Sequence, residues 1–312
     1  MNAQRPKVVV VGSLNMDLVT KATQQPQAGE TVFGDEFGMF AGGKGFNQAI
    51  SAARMGADVT MVGRLGMDLF GDKLMSMLTA DKVDGRFVVS DLEVGTGIAS
   101  IAIGSEGDNR IVVVPRANMR LTVEDVERAS TCIAAADVLL LQLEVPIEAS
   151  EKAAEIARAN GALVILDPAP AQALPDSFLR LADILTPNEL ETESLSGVNV
   201  SDQLGVEQAA QMILGKGVPT VVLTLGARGA LVLTADLKKM VPAYRVNVVD
   251  TTAAGDAFCG ALATALARGK TIEDSVTFAN VAGALAVTVL GAEPAIPTSE
   301  AITEFLASTE QN

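Results

Sequence analysis

The sequence predicts a doubly wound α/β fold, with a mostly parallel sheet between helices and a small β-sheet standing off it. Short apolar runs alternate with helix-length amphipathic segments across short links, the rhythm of parallel strands joined by crossover helices. Aromatic residues make up only 4% of the chain, so small and aliphatic side chains must do the packing, as in a sheet layered between helices. Polar residues also gather just after the apolar runs, at the strand ends where such sheets hold ligands.

Val8–Val11, four valines in succession, reads as a buried strand, and Gly12-Ser-Leu-Asn-Met-Asp17 follows at its carboxyl end. Asn15 and Asp17 alternate with Met16, so both polar side chains can face one way. Together an amide and a carboxylate offer the donors and acceptors that sugar hydroxyls need. A polar turn is the other reading. The pattern then loosens from Thr20 to Phe40, broken by Pro26, Gly29, Gly34 and Gly38, and again over Gly95–Val114 around a turn at Gly104–Asn109. We read these stretches, about 18–41 and 95–115, as a β-lid able to cover Asn15 and Asp17 and to pair with a second copy.

Gly42-Gly-Lys-Gly-Phe-Asn-Gln48 opens a helix with Phe46, Ile50 and Ala53 on one face and Gly56 as its stop. Gly38 and Gly43-Lys44 nearly spell a phosphate-binding P-loop, but Gly45 stands where a magnesium-binding hydroxyl belongs, so that reading fails. The glycines still permit close backbone approach to a ligand, and Lys44 and Asn47 add donors. A plain helix-opening turn is the alternative. Strands follow at Val59–Val62 and Val138–Leu143, the latter ending at Glu144. Ile147–Ala159 is a helix closed by Asn160-Gly161, and strand Leu163–Leu166 leads to Asp167-Pro-Ala-Pro170. Asp183–Asn188 runs into helix Glu189–Leu195, before a helix near Val206–Leu214 and strand Thr220–Leu225. Gly226-Ala-Arg-Gly229 turns into Ala230–Leu233, a hairpin whose glycines let a nucleotide lie close.

A strand-like run, Val246, Val248 and Val249, precedes Asp250-Thr-Thr-Ala-Ala-Gly-Asp256 and an amphipathic helix bearing Phe258, Ala261, Leu262, Ala265 and Leu266. Small residues at 253–255 allow a tight turn whose free N–H groups, with the helix dipole, favour an anion. Asp256 stands at the same helix start. An anion hole beside a carboxylate suits a phosphate and the hydroxyl that attacks it, although a capping aspartate on an ordinary helix fits the same letters. Ile272–Val289 is a last long helix, ended by Gly291.

The chain's 312 residues, 49% hydrophobic, suit a single large domain over 1–312. A net charge of −15 argues against nucleic acid or an anionic membrane as partner. Cys132 and Cys259 are far apart and unpatterned, which fits a reducing, cytoplasmic setting better than a disulfide scaffold or zinc site. There is no histidine, which removes Ser-His-Asp chemistry, His-ligated zinc and His acid/base catalysis together. Val8–Val11 is too short for a signal-peptide core, and no run approaches the ~18 apolar residues of a membrane span.

With these motifs in order, the chain resembles the PfkB-type family of carbohydrate and nucleoside kinases. The resemblance runs over essentially the whole length. It rests on Gly12–Asp17, Gly42–Gln48, Leu141-Gln-Leu-Glu144, Thr186-Pro-Asn188 with Glu191, Thr224–Gly229 and Asp250–Asp256. It implies a three-layer sandwich with a β-lid that also forms a homodimer contact. The implied reaction is ATP-dependent phosphorylation of D-ribose at O5, with Mg2+ accompanying ATP. Asn15, Asp17, Gly43, Lys44, Asn47, Glu144 and Asp256 would bind the sugar. Asp256 would be the base and the backbone of Ala253, Ala254 and Gly255 the anion hole. Asn188, Thr224, Gly226, Arg228, Gly229, Gly255 and Asn280 would border the nucleotide, Asn280 standing where family members often carry histidine. Glu191 matches an element of the magnesium–phosphate region. A potassium site would draw on Asp250, Thr252, Ala286, Val289, Gly291 and Ala295, mostly through carbonyls. Phe46, where a small residue is frequent, is expected to narrow the sugar pocket. Alternatives are a related kinase for deoxyribose, another sugar or a nucleoside, and a non-enzymatic sugar sensor that would have lost Gly255 or Asp256. A dinucleotide oxidoreductase is disfavoured because no Gly-x-Gly-x-x-Gly follows the first strand.

Overall fold

Strand β1 (Lys7–Val11) sets out the layers of the computed structural model, which describes residues 5–104 and 109–309. Val8 and Val10 belong to one buried apolar cluster, Val9 and Val11 to another, because successive side chains leave a strand on opposite faces. A strand buried on both faces needs helices on both, hence three layers.

In chain order, β1 is followed by β2 (Asn15–Lys21), β3 (Glu36–Gly42), α1 (Lys44–Arg54), β4 (Asp58–Gly66), α2 (Leu69–Ala80) and β5 (Asp84–Asp91). Next come β6 (Gly97–Ile103), β7 (Asn109–Val114), the short α3 (Val123–Arg128) and α4 (Ser130–Ala134), β8 (Val138–Leu141), α5 (Ile147–Ala159) and β9 (Leu163–Leu166). The remainder is α6 (Asp176–Leu179), β10 (Ile184–Leu185), α7 (Glu189–Ser196), α8 (Gln203–Gly215), β11 (Thr220–Thr224), β12 (Ala230–Leu233), β13 (Lys238–Val241), α9 (Ala254–Ala267), α10 (Ile272–Ala286) and α11 (Ser299–Thr309).

The large sheet runs β13-β12-β11-β10-β9-β8-β1-β4-β5, parallel from β11 to β5, with the β12 and β13 hairpin strands antiparallel at one edge. Helices α1, α9 and α10 supply the cluster on the Val8 face, and α5 and α8 that on the Val9 face. A Cβ added at Gly260 of α9 would lie 2.4 Å from Ser51 of α1, so this glycine lets the two helices meet closely. The second sheet, β3-β2-β6-β7, grows out of the carboxyl end of β1, where Gly12–Leu14 leads straight into β2.

Several expectations shift. The strand near Val246–Val249 does not form: these residues are irregular, Val248 and Val249 are exposed, and the amides of Val249 and Asp250 bond to Val287 O just past α10 instead of to a neighbouring strand. The strands expected to reach Leu143 and Leu225 stop at Leu141 and Thr224, releasing Gln142 and Leu225 into the loops that follow. Phe46 is fully buried within the Val8-face cluster, so it packs the core and does not narrow an open pocket. Helix α2 and strand β5 have no counterpart in the sequence reading, since β5 is a half-buried edge strand without clean alternation. The expected turn at Gly104–Asn109 falls mostly on residues 105–108, outside those described.

Candidate active site

Helix α9 begins without a side-chain cap, and Ala253 before it takes a left-handed conformation at φ 60°. A residue with a Cβ held there costs about 1 kcal/mol or more. The turn leaves helix-start donors open: the amides of Ala253, Gly255 and Asp256 make no hydrogen bond among the described residues, whereas Ala254 N reaches Thr251 O at 3.3 Å. A Cβ at Gly255 would meet nothing within 4 Å, so open space adjoins this turn. Free amides at a helix N-terminus facing open space make an anion site.

Asp256, third residue of α9, is 6% exposed and faces α1 across that space. Asn47 Nδ2 donates to its Oδ2 (2.9 Å) and Gln48 Nε2 to its Oδ1 (3.2 Å). Burial raises its pKa and outweighs the downward pull of Lys44, Asn47 and Gln48. Gln48 Nε2 also donates to Asp167 Oδ2 (2.8 Å), and Gln142 Nε2 donates to Gln48 Oε1 (2.6 Å). This amide chain holds two carboxylates, one just past the end of β9 and one on α9, in fixed orientation.

Lys44 opens α1. Burial works against its charge, but Asp167, Asp256, Glu144 and Glu191 together outweigh it and hold the ammonium protonated far above the ordinary lysine range. Its amide donates to Glu144 Oε2 (3.1 Å), and Ser13 Oγ makes a short hydrogen bond to the same oxygen. Gly43 and Gly45 permit this docking: a Cβ at Gly43 would lie 2.8 Å from Asn15 N, and one at Gly45 2.6 Å from Ser13 N. Asn15 and Asp17 lie on one face of β2, opposite Met16. Burial first, then Glu144 and Asp256, pushes the Asp17 carboxyl up to about 7. The expected sugar set, Asn15, Asp17, Gly43, Lys44, Asn47, Glu144 and Asp256, is thus joined by contact or by charge. Among the described residues Asn47 Oδ1 is buried with no partner, an acceptor left for a ligand.

The expected nucleotide set forms a chain of neighbours beside α9. Asn188 caps α7 and pairs reciprocally with Glu191, whose two carboxylate oxygens accept from Asn188 N (2.8 Å) and Nδ2 (2.9 Å). Thr224 N and Oγ1 reach Pro187 O. Gly229, at φ 94°, lies so close to the segment after β13 that a Cβ would stand 2.1 Å from Val241 O. Asn280 Nδ2 donates to Val241 O and Pro242 O, at 3.2 and 3.1 Å. Arg228 instead turns to an ion pair with Glu189.

Of the residues expected around potassium, the structure joins Asp250, Thr252 and Gly291. Asp250 Oδ1 accepts from Thr252 N (3.0 Å) and Oγ1 (2.7 Å), and Oδ2 from Gly291 N (2.9 Å). Burial opposes ionisation, but these bonds outweigh it and hold Asp250 below the usual carboxylate range. Among the described residues, no group of three or more His, Cys, Asp or Glu is arranged to hold a metal, and no helix is long and apolar enough to cross a membrane.

Ser13, Gln48, Gln142 and Asp167 were not singled out from the sequence. Gln48 and Gln142 fall inside quoted motifs and Asp167 at a strand's carboxyl end, which was the available signal.

Residues 5–299 match the model of the pfkB family carbohydrate kinase. Ribokinase of Staphylococcus aureus is 41% identical over 300 residues, 96% of this chain and 99% of that protein. Deoxyribokinase of Salmonella typhi is 34% identical over 304 residues, 97% of this chain and 99% of its own length. The solved structure of Arabidopsis thaliana ribokinase complexed with ribose and ATP superposes with a TM-score of 0.90 at 32% identity, covering 97% of this chain and 99% of that one.

Proposed function

The chain belongs to the pfkB family of carbohydrate kinases, and from that premise we propose that it transfers the γ-phosphoryl group of ATP to O5 of D-ribose, giving D-ribose 5-phosphate. The observation that carries the reading is Asp256, oriented by Asn47 and Gln48, beside the open amides of α9. A sugar hydroxyl is too weak an acid to be ionised by a carboxylate beforehand. In a loose phosphoryl-transfer transition state Asp256 aligns the hydroxyl and takes its proton late, while the helix start and Lys44 face the charge on the moving group. Asp17 and Glu144 accept from other sugar hydroxyls, and Asn15 and Lys44 donate.

Magnesium, carried by ATP, supplies charge neutralisation on the phosphates when bound. Both Glu191 oxygens are already taken by Asn188, so this pair suits contact through the ion's own waters, which magnesium tends to keep. For potassium, the ionised Asp250 and the loop it ties to Thr252 and Gly291 fit a large cation held mostly by carbonyls. Thr252 directly precedes the left-handed turn at Ala253, so ordering this loop orders the anion hole. Potassium is expected to raise kcat several-fold over sodium, and equal rates in the two salts would count against the site.

Turnover by a coupled ATP-consumption assay over ribose, deoxyribose, fructose and adenosine tests the substrate. The highest kcat/KM is expected on ribose, and a higher value on adenosine would overturn the reading. Deoxyribose is the alternative kept in view, since a deoxyribokinase is among the relatives.

We place the homodimer contact on the lid, whose outer strand β7 exposes Ile111, Val112, Val113 and Val114, with Phe37 and Met39 exposed on β3. An edge strand this apolar calls for a cover. Light scattering at twice the chain mass is expected, and a monomer mass at micromolar concentration would reject the contact. For location we propose the cytoplasm, a reducing setting that suits the free thiols of Cys132 and Cys259. A disulfide found in protein from cells would argue against that placement.

A further inference from the structure

Asn118 lies outside every motif, in a short 3-10 turn (Arg116–Arg120) just beyond the lid strand β7, and is 1% exposed. Its amide makes three hydrogen bonds. Oδ1 accepts from Leu14 N (2.9 Å), and Nδ2 donates to Leu14 O (3.2 Å) and to Asn15 Oδ1 (2.7 Å). A backbone N–H can only donate and a backbone carbonyl can only accept. The orientation of the Asn118 amide is therefore dictated by Leu14. It dictates the next amide in turn: the atom of Asn15 that faces Asn118 must be oxygen. The two N–H donors of Asn15 are left on the other arm of the same amide.

Two glycines make room for this pair. Asn15 stands in register with Gly42 of β3 on one side and Gly97 of β6 on the other. A Cβ at Gly97 would lie 2.2 Å from Asn15 Oδ1 and 2.4 Å from Asn118 Nδ2, so any side chain there would drive the two amides apart. A Cβ at Gly42 would lie 2.3 Å from the Asp17 carboxylate, the acceptor that shares this face of β2 with Asn15.

We propose that Asn118 is the positioning residue that sets sugar specificity through Asn15, an inference that rests on the sugar-kinase reading above. By holding the Asn15 oxygen it makes the sugar-facing arm a pure donor, while Asp17 two residues on offers acceptors. The substrate must present an oxygen lone pair to Asn15 and a hydroxyl hydrogen to Asp17. A sugar lacking the hydroxyl opposite Asn15 leaves two enclosed donors without a partner, which is what rejects it. Discrimination among pentoses is thus written partly into a residue that never touches the sugar.

The test uses the full chain and a panel of D-ribose and its monodeoxy analogues. Asn118→Asp is nearly isosteric and still accepts from Leu14 N, but has no hydrogen to give to Asn15. The Asn15 amide then turns over to donate to the new carboxylate and shows its oxygen to the sugar. The KM for ribose is expected to rise about tenfold or more, with kcat and the KM for ATP within about twofold of the parent. The penalty for one monodeoxy sugar should shrink in parallel. Gly97→Ala, which displaces the same two atoms, should give the same KM-only change. Should Asn118→Asp not fold, Gly97→Ala carries the test, because its Cβ parts Asn118 Nδ2 from Asn15 Oδ1 and leaves every sugar-binding side chain in place. A ribose KM within twofold of the parent in the folded variants overturns the proposal, as does a loss of kcat equal to the change in KM. Parent turnover is measured first. No turnover on ribose counts against the ribose reading, and the same comparison is then made on the sugar the parent does phosphorylate.

Discussion

Asp256→Asn is expected to lower kcat about 10³-fold while the KM for the sugar moves by no more than a few-fold. The difference follows from what the side chain does at each stage. In the proposed mechanism Asp256 is, in the ground state, one of several groups around the sugar, and Asn15, Asp17, Lys44 and Glu144 remain in the variant. In the proposed transition state it is the acceptor for the departing proton, and an amide cannot take one. The chain has no histidine to substitute. Asp167, the other carboxylate on the amide chain, accepts from the same Gln48 nitrogen. Asn47 and Gln48 both donate to Asp256, so an asparagine can satisfy only one of them with its single oxygen. A folded variant turning over within tenfold of the parent would remove Asp256 from the role of base.

Asp17→Asn is expected to weaken ribose binding about 100-fold and, in the sugar-free protein, to raise the melting temperature at pH 8. On the proposed binding mode Asp17 accepts charge-assisted hydrogen bonds from sugar hydroxyls, and their loss sets the scale of the first effect. The second follows from linkage. The carboxyl is pushed from an ordinary 3.8 to about 7 in the folded chain, by burial and by Glu144 and Asp256. Between those values the folded state binds more protons than the unfolded one, so stability falls as pH rises from about 4 to about 7 and stays lowered above that. The gap amounts to at most ~4 kcal/mol. Asparagine removes the penalty, so the variant should match the parent near pH 4 and exceed it by several degrees at pH 8. Sugar affinity of the parent should improve as pH rises through about 7, and the variant should lack that step. A melting difference between parent and variant that does not change with pH would contradict the assignment. The parent thus carries an instability that sugar binding offsets, as expected where a binding site concentrates like charge.

The parts legible in the sequence were those with a strong local pattern. Strand β9 and helix α5 match their expected limits because their apolar spacing is clean on one side and a turn closes the other. The Val246–Val249 run failed for a tertiary reason: a strand needs a neighbour, and this segment bonds to the end of α10 instead. Site residues inside motifs were recognisable because each motif marks a strand end or a helix start. Their supports were not. Gln48 meets Asp256 across 208 positions, and Asn118 meets Leu14 across 104, separations that no local pattern can pair. The Asn188–Glu191 spacing, read from the sequence only as a magnesium-region element, forms a capping box in the structure.

Proton-coupled phosphorus NMR of the product tests transfer to the primary hydroxyl of ribose. A phosphate on the C5 methylene couples to two protons and gives a triplet. D-ribose and ATP are expected to give that triplet, stoichiometric with ADP. A doublet, marking a phosphate on a ring carbon that bears one proton, or inorganic phosphate alone, would contradict it.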